Sequence, residues 1–225
     1  MSTLDLSKNA LSNRIAEHIT EQIITGELKP GEKLIENTYA EEYGTSRAPV
    51  REAIFLLSIE GLVERIPRKG AVVKGYTEAE IYDLLEIRTM LESLAMKRIE
   101  EHGVDTEVIE KMDQVLQEMK DEKAIKKYTQ YNYAFHMCLI EMSKSQVIKN
   151  VYSRLELPLQ RVQSLSFANE GKIEKSVSEH SIIVRMLKDG KIAEAARILE
   201  KHNSDVIESI QKSLAKAAWS GHDLF

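Results

Sequence analysis

The sequence predicts a mainly α protein in two parts, and three observations carry that prediction. Apolar residues recur at helical spacing along most of the 225 residues. In the first third, three short helical segments lead into a stretch of alternation that turns at Arg68-Lys69-Gly70, the pattern of a hairpin. After Gly75 a single proline, Pro158, remains, and the periodic segments become long. The domain boundary falls at 75/76. Residues 1–75 form a helix-rich unit with a hairpin and residues 76–225 an all-α bundle.

The elements follow in order. From Ala10 to Thr25, Leu11, Ile15, Ile19 and Ile23 recur every fourth position and make one helical stripe. Gly26, Pro30 and Gly31 break it. "ENTYAEEYG" is a short second helix, started by Asn37 or Thr38 and stopped at Gly44. Ser46 is placed to cap a third helix, with Pro49 tolerated in its first turn. Val50, Ile54, Leu57 and Leu62 then set its apolar side, before the hairpin "LVERIPRKGAVVKG". Thr77 and Glu80 have the spacing of a capping box. The helices expected after it cover 78–101, 106–121, 123–142, 146–168, 173–188 and 191–216.

Composition narrows the function classes. A hydrophobic content of 43% supports a packed core, and 30% charged residues suit a soluble surface. Cys138 is the lone cysteine, which excludes an intramolecular disulfide and points to a reducing compartment. No apolar run approaches the roughly 20 residues of a membrane span. "MSTLDLSKNALSNRI" lacks the uninterrupted apolar stretch of a secretory signal. The expectation is a cytoplasmic protein with no membrane partner.

A formal net charge of -5 argues mildly against nucleic acid, so charge has to be read locally. Residues 45–74 carry Arg47, Arg51, Arg65, Arg68, Lys69 and Lys74 against only Glu52, Glu60 and Glu64. Residues 1–44 are acidic in balance. A basic third helix followed by a basic hairpin tip is what a winged helix-turn-helix presents to double-stranded DNA. The helix N-terminus enters the major groove, and the wing meets an adjacent groove or the backbone. Arg47 and Arg51 lie one turn apart and can project from one face, to read guanine or grip phosphate.

The stretch "ITGELKPGEKLIENTYAEEYGTSRAPVREAIFLLSIEGLVERIPRKGAVV" resembles the DNA-binding domain of GntR-type bacterial transcription regulators. The likeness covers nearly all of residues 10–75. It implies DNA contacts at Ser46, Arg47, Ala48, Pro49 and Arg51, at Lys69 and Gly70 on the wing, and at Asn37 in the second helix. Glu52 and Glu60-Gly61-Leu62 match positions that are structural in that family.

In the second unit His136, His180 and His202 each sit inside a long amphipathic segment, "AFHMCLI", "EHSIIVRML" and "ILEKHN". Three neutral imidazoles converging in a bundle core make a divalent-metal site, or line a polar ligand cavity without metal. His102 and His222 read as ordinary surface histidines. This part resembles the FCD effector domain of the FadR subfamily, through "RTMLE" (Arg88, Leu91, Glu92), "NYAFH", Glu179-His180 with Ile183, and His202. The resemblance spans roughly 78–210. It implies an FCD-like bundle in which an Asp and three His hold zinc or nickel, with positions left for a carboxylate effector.

Two positions depart from the family pattern. Asn132 stands where the family has its Asp, one turn before His136 on the same helix face, and Gln146 stands where an Asn follows. The candidate metal set is therefore His136, His180, His202 and Asn132, with Arg88 and Gln146 as effector-binding residues. Arg88 either holds a carboxylate bidentately or pairs with Glu92 at i+4. The overall expectation is a one-component transcription regulator, a homodimer on a palindromic operator that senses a small organic acid. The rival readings are a constitutive DNA-binding protein with a vestigial cavity and a metal-dependent helical enzyme fused to a DNA-binding module.

Overall fold

The computed structural model describes residues 7–66 and 70–220, and their side chains except at 7–10, 165 and 216–220. Among the described residues there are ten helices and one three-stranded sheet. The chain divides into two compact units between Thr77 and Glu78.

In the first unit α1 (Ser7–Thr25) lies along α3 (Arg47–Ile59). Ile15, Ile19 and Ile23 are buried, as are Val50, Ala53, Ile54 and Leu57, while Leu11 at the start of the stripe is exposed. Ser12 Oγ also donates to Glu52 Oε2 at 2.8 Å, tying the two helices together. Between them runs α2 (Glu36–Glu42), which begins ahead of the expected Asn37 or Thr38. Glu36 brings a carboxylate to the first turn, where unpaired amides carry partial positive charge. Gly44 turns the chain from α2 into α3 at φ 60, a conformation that strains any residue with a Cβ.

Ser46 occupies the N-cap position of α3 in extended geometry, yet its hydroxyl makes no capping hydrogen bond. An N-cap oxygen accepts from the second or third helical amide, and here the third residue is Pro49, which has none. The wing consists of β2 (Val63–Ile66) and β3 (Gly70–Val73), antiparallel with Val63 opposite Val73 and Ile66 opposite Gly70. A strand that the alternation did not announce, β1 (Lys33–Leu34), pairs with β3 on its other side, giving the order β1-β3-β2. Two residues are too short to show a period.

The second unit is all-α: α4 (Glu78–His102), α5 (Thr106–Asp121), α6 (Ile125–Met142), α7 (Gln146–Ser153), α8 (Glu156–Phe167), α9 (Lys172–Lys188) and α10 (Ile192–Ser220). The single helix expected over 146–168 is two, separated at Arg154 and Leu155. Pro158 explains the correction. It has no N–H for the carbonyl of Arg154 and its ring would clash there, so it is accommodated in the first turn of a new helix. The core gathers Met96, Ile99, Met112, Leu116, Phe135, Leu139, Ile183 and Leu187. The pivotal element is α6, which packs against α4, α5, α7 and α8 and is buried on most of its surface. Its polar residues Thr129, Asn132 and His136 are buried with it.

Candidate functional site

In the first unit, α2 and α3 meet at an angle that brings Asn37, Ser46, Arg47, Ala48 and Arg51 onto one concave surface. Both arginines are exposed, with 60% and 56% of their side-chain surface open. Pro49 is half-buried in the first turn of α3. Gly70 opens β3 and lines a second depression together with Arg51 and Arg65. Lys69 lies outside the described residues. The residue that sequence reasoning missed is Glu36. Its Oε2 lies 3.0 Å from Arg47 Nη2 and 2.9 Å from Arg51 Nη2, and its Oε1 takes Arg51 Nε at 2.9 Å. The hydrogen bonds from Arg51, then those from Arg47, hold this carboxyl at about 2 against the pull of partial burial.

In the second unit, His136 on α6, His180 on α9 and His202 on α10 come together in the interior. All three are buried. Each offers a ring nitrogen within 4.8 Å of the others, and the ring centroids are 4.7–5.4 Å apart. Phe135 stacks on His180 at 4.0 Å and fixes the plane of that ring. His202 Nδ1 is 2.7 Å from Glu179 Oε2. Partial burial pushes the Glu179 carboxyl up, but the contact with His202 outweighs it and holds the carboxyl below the usual range, so Glu179 accepts and Nδ1 donates. His202 Nε2 and both nitrogens of His180 have no partner among the described residues.

Beside the histidines lies a buried polar network centred on Glu92. Arg88 Nε donates to Glu92 Oε1 at 2.8 Å, Tyr152 Oη to the same oxygen at 2.7 Å, and Asn203 Nδ2 to Oε2 at 2.8 Å. His136 Nδ1 is 3.1 Å from Oε1, without the alignment of a hydrogen bond. Burial pushes the Glu92 carboxyl up, but the Arg88 guanidinium and the donors around it outweigh burial and hold it well below the usual carboxylate range. The other end of Arg88 reaches His136, with Nη2 2.7 Å from Nε2. Guanidinium only donates, so His136 Nε2 accepts. Burial, and after it the charge of Arg88, lowers the His136 pKa to about 4, and burial lowers that of His180 well below the ordinary value. Both rings are therefore neutral at neutral pH, the state in which imidazole ligates.

Asn132 is buried on α6 one turn from His136, and its Nδ2 donates to Gln163 Oε1 at 3.0 Å. Its Oδ1 has no partner among the described residues. Gln146 stands apart: it is exposed at the start of α7, so the buried amide that accompanies Asn132 is Gln163 of α8. Gln163, Tyr152 and Asn203 carried no sequence signal, because single polar residues on amphipathic helices read as surface.

Orphaned buried nitrogens and a buried amide oxygen are what a cation or an anion-binding group leaves unsatisfied when absent. The imidazoles of His136, His180 and His202, with ring nitrogens within 4.8 Å of one another, fit a divalent cation by donor type and spacing. His136 takes part only where the Arg88 N–H gives up the Nε2 lone pair.

Two families match this chain. The FCD domain family matches residues 83–205, more than half of it, and the family described as bacterial regulatory proteins, gntR family, matches residues 11–73. The gluconate operon transcriptional repressor of Bacillus subtilis is 26% identical, over 97% of this chain and 95% of its own length. The Nta operon transcriptional regulator of Aminobacter aminovorans is 26% identical, over 84% of this chain and 90% of its own. Among solved structures, a GntR transcriptional regulator from Rhodococcus sp. RHA1, described as putative, has the same fold. It covers 89% of this chain and 97% of its own at a TM-score of 0.74 and 20% identity.

Proposed function

Because the chain belongs to the gntR family of bacterial regulatory proteins, with an FCD domain as its second part, we propose that it binds a palindromic operator as a homodimer and releases or tightens its grip when a small carboxylate enters the histidine cluster. The protein is a DNA-binding transcription regulator and not an enzyme, as its family and its relatives are. Among the described residues no helix is long and apolar enough to cross a membrane, and the reading places the protein in the cytoplasm.

The observation that carries the sensing part is the set of unpartnered, buried imidazole nitrogens beside a buried arginine. Buried polar groups of this kind take polar partners. Arg88 supplies a guanidinium for a carboxylate, and Asn132 an uncharged oxygen beside the imidazoles. Zinc or nickel held by His136, His180, His202 and Asn132 would supply a Lewis-acidic centre with positions open to that carboxylate. One observation favours a metal-free version of the same site: Arg88 already occupies His136 Nε2. A relative named for repression of a gluconate operon, gluconate being a carboxylate, agrees with an organic-acid effector.

Homodimer formation through residues 76–225 is supported by an exposed apolar stripe on α4, Ile87, Met90 and Leu94, and another on α7, Val147 and Val151. These two helices touch. Reading DNA with one short recognition helix covers few base pairs, so a pair of half-sites is needed. Residues 1–75 would then supply the DNA contacts, from Ser46, Arg47, Ala48, Pro49, Arg51, Lys69, Gly70 and Asn37.

The test is a thermal-shift screen of organic acids on the purified chain, with zinc, with nickel and with chelator. The expected result is stabilisation by one chemical series, followed by a change in DNA affinity with the same acid. Stabilisation that persists in chelator selects the metal-free site. No stabilisation by any acid under any of the three conditions leaves a constitutive DNA-binding protein.

A further inference from the structure

Arg47 and Arg51 do not stand free on the exposed face of α3. One carboxylate, Glu36 on α2, takes both, and each arginine turns the same edge to it. Arg51 gives Nε–H to Oε1 and Nη2–H to Oε2, both at 2.9 Å. Arg47 gives Nε–H and Nη2–H to Oε2, at 3.3 and 3.0 Å. A guanidinium carries five N–H donors in one plane. With the Nε/Nη2 edge on Glu36, the Nη1/Nη2 end of each fork stays open, and that end can pair with O6 and N7 of guanine.

We propose that Glu36 is a positioning residue that sets sequence specificity: it orients both arginine forks for base edges and discounts their attraction for phosphate. The inference rests on the DNA-binding assignment and adds a residue to it. Two effects of one carboxylate work in opposite directions. For a cognate sequence, a fork already held through both Nε–H and Nη2–H, on two carboxylate oxygens for Arg51 and on one for Arg47, has less rotamer freedom to lose when it meets a base. For arbitrary DNA, affinity comes almost entirely from neutralised phosphates. Here a negative charge between two arginines is a penalty. Both effects widen the gap between cognate and arbitrary DNA.

The position fits that task better than a structural one. Glu36 is only partly buried and both its partners are open to water, where ion pairs contribute little to stability. A side chain 26% exposed between two arginines that are more than half exposed is placed to meet a ligand.

The experiment uses the full chain and two probes. One is a duplex selected by the wild-type chain from a randomised pool, the other a random-sequence duplex of equal length, each titrated over a range of salt. Glu36→Gln removes the charge and keeps the shape. Random-duplex affinity should rise about 5-fold for each subunit engaged at 0.15 M salt, the scale of one additional counterion released, with a slope steeper by about 0.9 per subunit. Affinity for the selected duplex should fall or stay level, so the ratio between probes narrows by about 5-fold or more. Glu36→Asp keeps the charge but is one methylene short of bridging both arginines. It should hold the low random-duplex affinity and lose affinity for the selected one. Parallel changes on both probes in Glu36→Gln overturn the proposal, and wild-type behaviour of Glu36→Asp on both removes its orienting half. A wild-type chain that selects no sequence at all would instead bring down the DNA-reading assignment itself.

Discussion

Glu36 and Glu92 hold two arginines and one arginine respectively, with contacts of similar length, yet they live in different media. Glu36 is 26% exposed and its partners more so, while Glu92 is fully buried with Arg88 at 2%. In water the pair is screened, and its geometry can serve a ligand without the fold depending on it. In the interior the same pair has been stripped of solvent, and the surrounding Tyr152, Asn203 and His136 have to replace what water supplied. The difference teaches where each site can change. The exposed surface of the first unit can lose a charge and stay folded, whereas the buried network of the second cannot.

The largest test of that contrast is Glu92→Gln. It leaves Arg88 charged and buried without a counter-ion, and turns an acceptor toward the Asn203 donor into a donor. Breaking a buried pair from one side typically costs about 3–5 kcal/mol. Urea unfolding followed by circular dichroism should show that loss in the transition of the helical unit. Arg88→Met added to Glu92→Gln should recover part of it, because removing both charges is far less harmful than removing one. A stable single variant would mean that the network is not closed as described.

Next in size is DNA binding by Arg51→Ala, and likewise by Arg47→Ala. Each arginine that reads a base contributes about 1–3 kcal/mol per half-site, doubled in a dimer. Binding to the selected duplex should collapse while the circular dichroism spectrum and melting temperature stay put. If either variant binds like wild type, the recognition surface lies elsewhere.

The two regions also differed in how far they could be read from the chain alone. The concave surface of the first unit is built from residues 37–51, so helix, turn, helix and charge pattern sit side by side and were legible. Its carboxylate was not, because nothing in "LIENTY" marks Glu36 as the partner of residues 11 and 15 positions later. The core site joins α4, α6, α7, α8, α9 and α10 across more than a hundred residues. Its histidines were legible by type and by helical context. Gln163, Tyr152 and Asn203 were not, since a buried polar residue and a surface one look alike until the fold decides which way the helix faces. Likewise β1 was too short to alternate, and the break ahead of Pro158 was signalled by a proline whose effect lies four residues upstream.

A smaller effect separates the uncharged amide of Asn132 from the carboxylate its family relatives are expected to carry. Asn132→Asp puts a negative oxygen at a buried position whose amide oxygen has no partner, and Gln163 must turn its amide to donate instead of accept. Binding of zinc or nickel should tighten by about 10- to 100-fold, the range of changes to a ligand's environment at such sites. An acidic effector should weaken, because part of the positive charge it meets is already neutralised. Titration calorimetry with metal, then with the best acid from the screen, reads both signs. Unchanged metal affinity would take position 132 out of the coordination set.

The smallest expected effect closes the comparison, because it applies to Glu36 the same substitution as to Glu92. Glu36→Gln removes two exposed ion pairs, and exposed pairs contribute about 0–1 kcal/mol. The carboxyl is held at about 2, chiefly by Arg51, so at neutral pH it is fully ionised and the variant gives up its entire contribution. The sign follows from linkage. A carboxyl whose folded value is depressed stabilises the fold above its unfolded value of 4.5 and loses that contribution as pH falls toward 2. A drop from 4.5 to about 2 corresponds to roughly 3 kcal/mol without screening, and solvent around two arginines that are more than half exposed cuts that down. Wild type and Glu36→Gln should therefore differ by less than about 1 kcal/mol at pH 7 and converge as pH falls from 4.5 toward 2. The measurement is urea unfolding of the first unit's transition at pH 7 and at successively lower pH. A loss on the scale expected for Glu92→Gln would mean that Glu36 holds α2 against α3 as part of the fold, and the division between a replaceable surface carboxylate and an indispensable buried one would fail.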